Sequence, residues 1–128
     1  MAQARLRQLY ESLELPGELL DYHFAIQGGC SELWRLRREE PCVLGEIEQL
    51  CWLDIQLIQA YPTLFQAKND RGFLLITTFQ HLLSLYEQEG YLSDACRVAE
   101  IAVKFNQQQP VFERIKSRLA NLKAEGAS

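Results

Sequence analysis

Two polar residues sit within otherwise apolar helical stripes, and they are the chain's first candidates for chemistry. His23 is flanked at helical spacing by Leu19, Leu20 and Ile26, and Asp54 by Leu50, Cys51 and Ile58. If the two helices face one another, an imidazole–carboxylate pair results. A carboxylate orients an imidazole and increases its basicity, which is what general-base catalysis requires. The rest of the catalytic grammar is missing: there is no recognisable nucleophile motif, no third metal ligand at a useful spacing and no glycine-rich phosphate loop. A buried carboxylate satisfied by His23, Tyr22 or an arginine is the commoner arrangement, because buried polar groups are as a rule hydrogen-bonded. The pair is therefore expected to be structural. A small helical enzyme or metal-binding protein using His23 and Asp54 is the alternative.

The remaining metal-type residues add little. His81 lies off the Phe79-Leu82-Tyr86 stripe, near Thr77, Thr78 and Leu85, and is expected to be exposed or to line a shallow groove. Cys30, Cys42, Cys51 and Cys96 fall at irregular intervals without a C-x2-C pair, whereas zinc sites draw their ligands in closely spaced pairs. Reduced, structural thiols are expected, Cys51 and Cys96 acting as small hydrophobes, with neither metal nor cofactor.

The elements that must position these residues read as helix almost throughout. Only four prolines and seven glycines interrupt the chain, and no segment keeps a period of two. The first helix is expected over 4–13, with Leu6, Leu9, Tyr10 and Leu13 on its apolar stripe, ended by Pro16-Gly17. The second starts near Glu18 and carries Leu19, His23, Ile26, Cys30, Leu33, Trp34 and Arg37. Gly28-Gly29 interrupts it, at a cost of about 1 kcal/mol per glycine relative to alanine. The pair is read as a kink or as a point of close helix crossing; a backbone-lined ligand contact is the other reading. The third helix, over 43–61, buries Val43, Ile47, Leu50, Cys51, Asp54, Ile55 and Ile58. Asn69-Asp70-Arg71-Gly72 marks a turn in the one long connection. A fourth helix over 73–88 is capped by Gly90, a fifth over 94–105 has Ser93 as N-cap, and a sixth carries Pro110 in its first turn, with Phe112, Ile115, Leu119 and Leu122 as its stripe.

Composition narrows the class. A chain of 128 residues with 48% hydrophobic and 23% charged residues can bury a real core as one domain. The net charge of −4 repels phosphate backbones and anionic membranes. The basic residues are dispersed among acidic ones: Arg35, Arg37 and Arg38 run into Glu39 and Glu40, and Arg114, Lys116 and Arg118 are followed by Lys123 and Glu125. No run approaches the roughly 18 apolar residues of a membrane span. No apolar segment follows Arg5 and Arg7 as a secretory signal would require. These features set the expectation of a cytoplasmic protein that contacts neither nucleic acid nor membrane.

The stretch from Phe79 to Pro110 has a more specific pattern. Phe79-x2-Leu82-Leu83-x2-Tyr86, then Gly90, then Ala95-x3-Ala99 and Ala102, resembles one unit of the tetratricopeptide repeat of about 34 residues, W-x2-L-G-x2-Y…A-x3-F…P. The resemblance covers about a quarter of the chain. Leu83 stands where a small residue is usual, Ala99 where a large one is usual, and the proline comes late as Pro110. Moving about 34 positions towards the N-terminus from Gly90, Ala95 and Ala102 lands on Gln56, Tyr61 and Lys68, so no second copy is visible.

The resemblance implies an all-α protein of five or six antiparallel helices: N-terminal helices over 1–61, then a tetratricopeptide-like hairpin and a capping helix over 73–124. It also implies noncatalytic protein–protein interaction, a groove or apolar face receiving a peptide, a helix or a second copy of the chain. Groove residues are expected at Thr78, His81 and Leu85, and at Asn69 and Arg71 in the preceding loop, because they lie away from the helix-pair seam. Trp34, Trp52 and Phe65 are expected to belong to the core, or alternatively to cover one another across a homodimer.

Overall fold

The structure, a computed structural model, describes residues 2–15, 17–62, 76–105 and 107–127. Its elements are six α-helices, α1 (Ala2–Glu14), α2 (Leu19–Leu36), α3 (Val43–Ala60), α4 (Thr77–Glu89), α5 (Leu92–Val103) and α6 (Gln109–Ala127), and no strand occurs among the described residues. Consecutive helices pack against one another, and α2 also packs on α4. Other alternate helices touch through single side chains: Tyr10 of α1 reaches Glu46 of α3, Arg97 of α5 lies over Trp52 of α3, and Arg114 of α6 pairs with Glu87 of α4. The helices thus zigzag between two rows, α1-α3-α5 and α2-α4-α6. Among the described residues no helix is long and apolar enough to cross a membrane.

Buried side chains from all six helices join in one core. The stripe expected on α3 is buried in full, Val43, Ile47, Leu50, Cys51, Asp54, Ile55 and Ile58, because α3 is covered on different sides by α2 and α4. On α5 the core-facing residues are mostly small, Ala95, Val98, Ala99 and Ala102, and the large ones face them from α4, Phe79, Leu82, Leu83 and Tyr86. Small against large lets the two axes approach without leaving voids. Gly90 closes α4 in the left-handed conformation at φ 82°, which a residue without Cβ adopts freely. Tyr91 N–H then donates to the Tyr86 carbonyl at 2.8 Å.

Four helix boundaries differ from the sequence reading by two residues or more, the first being the start of α1 at Ala2. α4 begins at Thr77 because Ile76 is extended (φ −110°, ψ 98°) and fully buried ahead of it. α5 begins at Leu92, so Ser93 lies inside the first turn and does not cap; the two-residue Gly90-Tyr91 turn leads directly into a helix whose Leu92 is buried. α5 ends at Val103, and Phe105 folds back beyond it to stack on Phe79. On α6 only Ile115 of the expected stripe is buried, and Leu122 is 51% exposed. With about 1.5 Å of rise per residue, α6 outruns the shorter α5 that covers it.

α2 is continuous through Gly28-Gly29, and the two glycines differ in environment. A Cβ built on Gly29 would lie 2.7 Å from Leu9 Cδ2 of α1, whereas one on Gly28 meets nothing within 4 Å. Gly29 is the point of close crossing, where α1 seats Leu9 on the backbone of α2. Gly28→Ala is therefore expected to raise stability by about 0.5–1 kcal/mol through helix propensity. Gly29→Ala must reorient Leu9 and is expected to be at least about 1 kcal/mol less favourable than Gly28→Ala. Urea denaturation of both variants checks the order; equal gains would show that α1 is not held at this crossing.

Candidate functional site

The structure brings His23 and Asp54 together. His23 projects from α2 and Asp54 from α3, and both are 0% exposed. His23 Nδ1–H donates to Asp54 Oδ1 and Oδ2, each at 2.8 Å. Thr78, in the first turn of α4, donates its hydroxyl to Oδ2 at 2.6 Å. A nucleophile–base–carboxylate relay has its hydroxyl on the imidazole nitrogen opposite the carboxylate. Here the hydroxyl is bonded to the carboxylate itself. This order satisfies Asp54 and does not activate Thr78.

The position of the cluster gives it a structural purpose. Thr77 and Thr78 open α4, whose first amides lack partners within the helix, and Ile76 has no side-chain oxygen to cap them. α2 and α3 supply what the local sequence lacks. Gln27 Oε1 accepts the Thr77 N–H at 3.0 Å, and the Asp54 carboxylate places negative charge beside a helix N-terminus, where the macrodipole favours it. Three helices are thereby pinned at the start of α4.

Thr78, Leu85 and His81 were expected in a groove. Thr78 and Leu85 are buried, because the side of α4 away from α5 is covered by α2 and α3. His81 is half-buried against α2, its Nε2 3.0 Å from Ser31 Oγ and its ring 5.9 Å from Trp34. Asn69 and Arg71 lie outside the described residues, as does Phe65. Burial lowers the pKa of His81 from the usual 6.5, because desolvation penalises the imidazolium. The sign for stability follows: below about pH 6.5 the unfolded chain takes up a proton that folded His81 resists. Stability should be fully present above that pH and fall as the pH drops from 7 to 5.5. The fall should be shallower in His81→Gln, measured by denaturation midpoint across pH; equal slopes would remove His81 as the cause.

Among the described residues no group of three or more His, Cys, Asp or Glu side chains is arranged to hold a metal ion. Cys51 Sγ donates to Cys30 Sγ at 3.8 Å, both buried between α2 and α3. The neighbouring Cys30 thiol, together with burial, pushes the Cys51 thiol up, which keeps it protonated and unreactive.

An open groove lies on the other row. It has a volume of about 620 Å³ and runs over α3, lined by Tyr10 of α1, Glu48, Gln49, Leu50, Trp52, Leu53 and Gln56 of α3, Tyr86 of α4, and Asp94 and Arg97 of α5. Its floor is a hydrogen-bonded chain: Trp52 Nε1–H donates to Tyr86 Oη at 2.8 Å. Burial is the main reason the Tyr86 phenol is raised to about 12, reinforced by its bond to Glu48. Tyr10 Oη donates to Glu46 at 2.9 Å, and burial with that bond raises it to about 12 as well. Leu53, 47% exposed, separates this groove from an apolar notch of about 240 Å³ formed with Leu13, Tyr22, Ile26 and Leu57.

Of these groove residues only Trp52 was given a possible binding role from the sequence, as core or alternatively as part of a homodimer face, and Leu53 and Gln56 lie outside the apolar stripe read on α3. The available signal was Leu53 itself, a large apolar residue beside the buried stripe. Compared with known proteins, the chain matches no protein-family model, no curated protein and no solved structure.

Proposed function

We propose that this chain is a noncatalytic protein–protein interaction module of tetratricopeptide-like build, whose working surface is the groove over α3. The observation that carries the reading is the contrast between the two candidate sites. The chemistry-bearing residues His23, Asp54 and Thr78 are sealed in the core and tie helices together, while the open surface offers aromatic and aliphatic area at Tyr10, Trp52 and Leu53 with polar groups around it. Such a surface holds an inserted side chain by apolar burial and fixes its register by polar contacts at the rim.

The repeat reading is supported by the packing. α4 and α5 carry the small and large residues of the repeat on facing sides, and Gly90 provides the left-handed turn between them. α2 and α3 take the place of a preceding, degenerate hairpin, since α2 lies against α4 as first helices of successive repeats do. α6 then closes the array. The four free thiols suit a reducing, cytoplasmic setting.

Affinity capture with the wild-type chain and Leu53→Asp side by side tests this function. Leu53 is exposed, so the variant should melt as the wild type does. A protein recovered at stoichiometric yield by the wild type and lost from Leu53→Asp supports docking at the groove. Equal recovery by both places the interface elsewhere. Light scattering of the purified chain decides whether a second copy is the occupant.

A further inference from the structure

We infer that the groove over α3 selects a positively charged partner, namely a lysine- or arginine-bearing amphipathic segment of another protein that seats an apolar residue beside Leu53. The inference rests on the docking reading above and adds the chemistry of the occupant.

Charge is the first reason. Glu48 and Asp94 line the groove, and Glu46 borders it through Tyr10. Against these carboxylates the lining holds one cation among the described residues, Arg97, whose guanidinium lies over the Trp52 ring at 5.1 Å. The surface is therefore acidic, and an arriving cation meets both carboxylates and electron-rich aromatic faces, which attract it together. An acidic segment would meet repulsion at the same places.

The whole chain argues against a second copy in this position. Each copy carries a net charge of −4, so like copies repel on approach while a basic partner is drawn in. The basic residues of α6 are in part already engaged: Arg114 and Arg118 pair with Glu87, and Lys116 pairs with Glu113.

The apolar requirement comes from the shape. Leu53 stands between the acidic groove and the apolar notch, so an occupant that crosses it reaches both. An amphipathic helix has its apolar and basic residues on adjacent faces, and places them in two such neighbouring depressions.

The test uses the full chain with Trp34→Phe, which leaves Trp52 as the sole tryptophan and thus a fluorescence reporter inside the groove. Two dye-labelled helical peptides of about 18 residues share one leucine pattern, one with lysine and the other with glutamate at the polar positions. Anisotropy and Trp52 emission are followed from ~50 to ~300 mM salt. The lysine peptide should bind, change Trp52 emission, weaken with salt, and exceed the glutamate peptide by at least about tenfold. Glu48→Lys with Asp94→Lys should abolish that preference, whereas Glu39→Lys with Glu89→Lys, an equal change of net charge outside the groove, should preserve most of it.

Equal, salt-independent binding of both peptides at the groove would overturn the charge selection and leave the docking function standing. An equal loss in the two charge-reversed pairs would also overturn it, as nonspecific attraction to an acidic chain. If neither peptide alters Trp52 emission and Leu53→Asp changes nothing, the docking reading itself fails.

Discussion

Asp54→Ala should lose about 2–5 kcal/mol of folding stability, since it strands two buried hydrogen-bond donors at roughly 1–3 kcal/mol each. The carboxylate is the shared acceptor for His23 Nδ1–H and the Thr78 hydroxyl, all in side chains closed to solvent. Its removal leaves both donors without that acceptor and withdraws negative charge from the start of α4. A domain of this size holds only about 5–15 kcal/mol in total, so the variant should be near unfolding at ordinary temperatures. Asp54→Asn keeps a carbonyl acceptor and should lose less, about 1–3 kcal/mol. Replacing the cluster together, His23→Leu with Asp54→Leu and Thr78→Val, should recover much of the loss, since an apolar set leaves no polar atom of this network stranded. Urea denaturation of the four proteins reads these differences directly. An Asp54→Ala protein that melts with the wild type would show that the cluster does not anchor α4. Interest would then return to His23 and Asp54 as functional groups.

The same cluster shows what the sequence could and could not convey. Period-3.6 patterning identified the buried side of α3 residue by residue and put Asp54 and His23 each within a buried stripe, while the facing of the two stripes is seen only in the structure. It failed for Thr78 and Leu85. α4 has two buried sides, one against α5 and another against α2 and α3, and a single-helix pattern assigns the second side to solvent. Thr78 also looks polar in sequence, and its burial depends on the Asp54 acceptor supplied from another helix. The groove was less legible still. Tyr10, Trp52, Tyr86 and Arg97 belong to four helices, and the space between them depends on how far apart α1, α3 and α5 lie. Gly29 was an intermediate case: sequence exposed its cost in the helix, while Leu9 was needed to explain why that cost is borne.

Phe79→Ala should lose about 3–5 kcal/mol, the second large effect expected in this chain. Phe79 is fully buried at the first position of the repeat-like pattern, where it fills the space that small Ala95, Ala99 and Ala102 leave open on α5. Its ring also stacks on Phe105 at 6.2 Å between centroids and 29° between planes. Phe105 lies just beyond the end of α5, so the contact ties α4 to the turn that launches α6. Truncating Phe79 therefore opens a cavity that α5 can close only by moving, and loosens the turn before α6 in the same step. Phe105→Ala should cost less, because Phe105 sits at the edge of the core. The double variant should fall short of the sum of the two by about 0.5–1.5 kcal/mol, the coupling expected of an aromatic pair. Thermal and urea unfolding of the single and double variants give the cycle. Strict additivity would mean that the two rings are held independently. α6 would then owe its position to Ile115 and the Glu87–Arg114 ion pair, and Phe79 would stabilise only the α4–α5 hairpin.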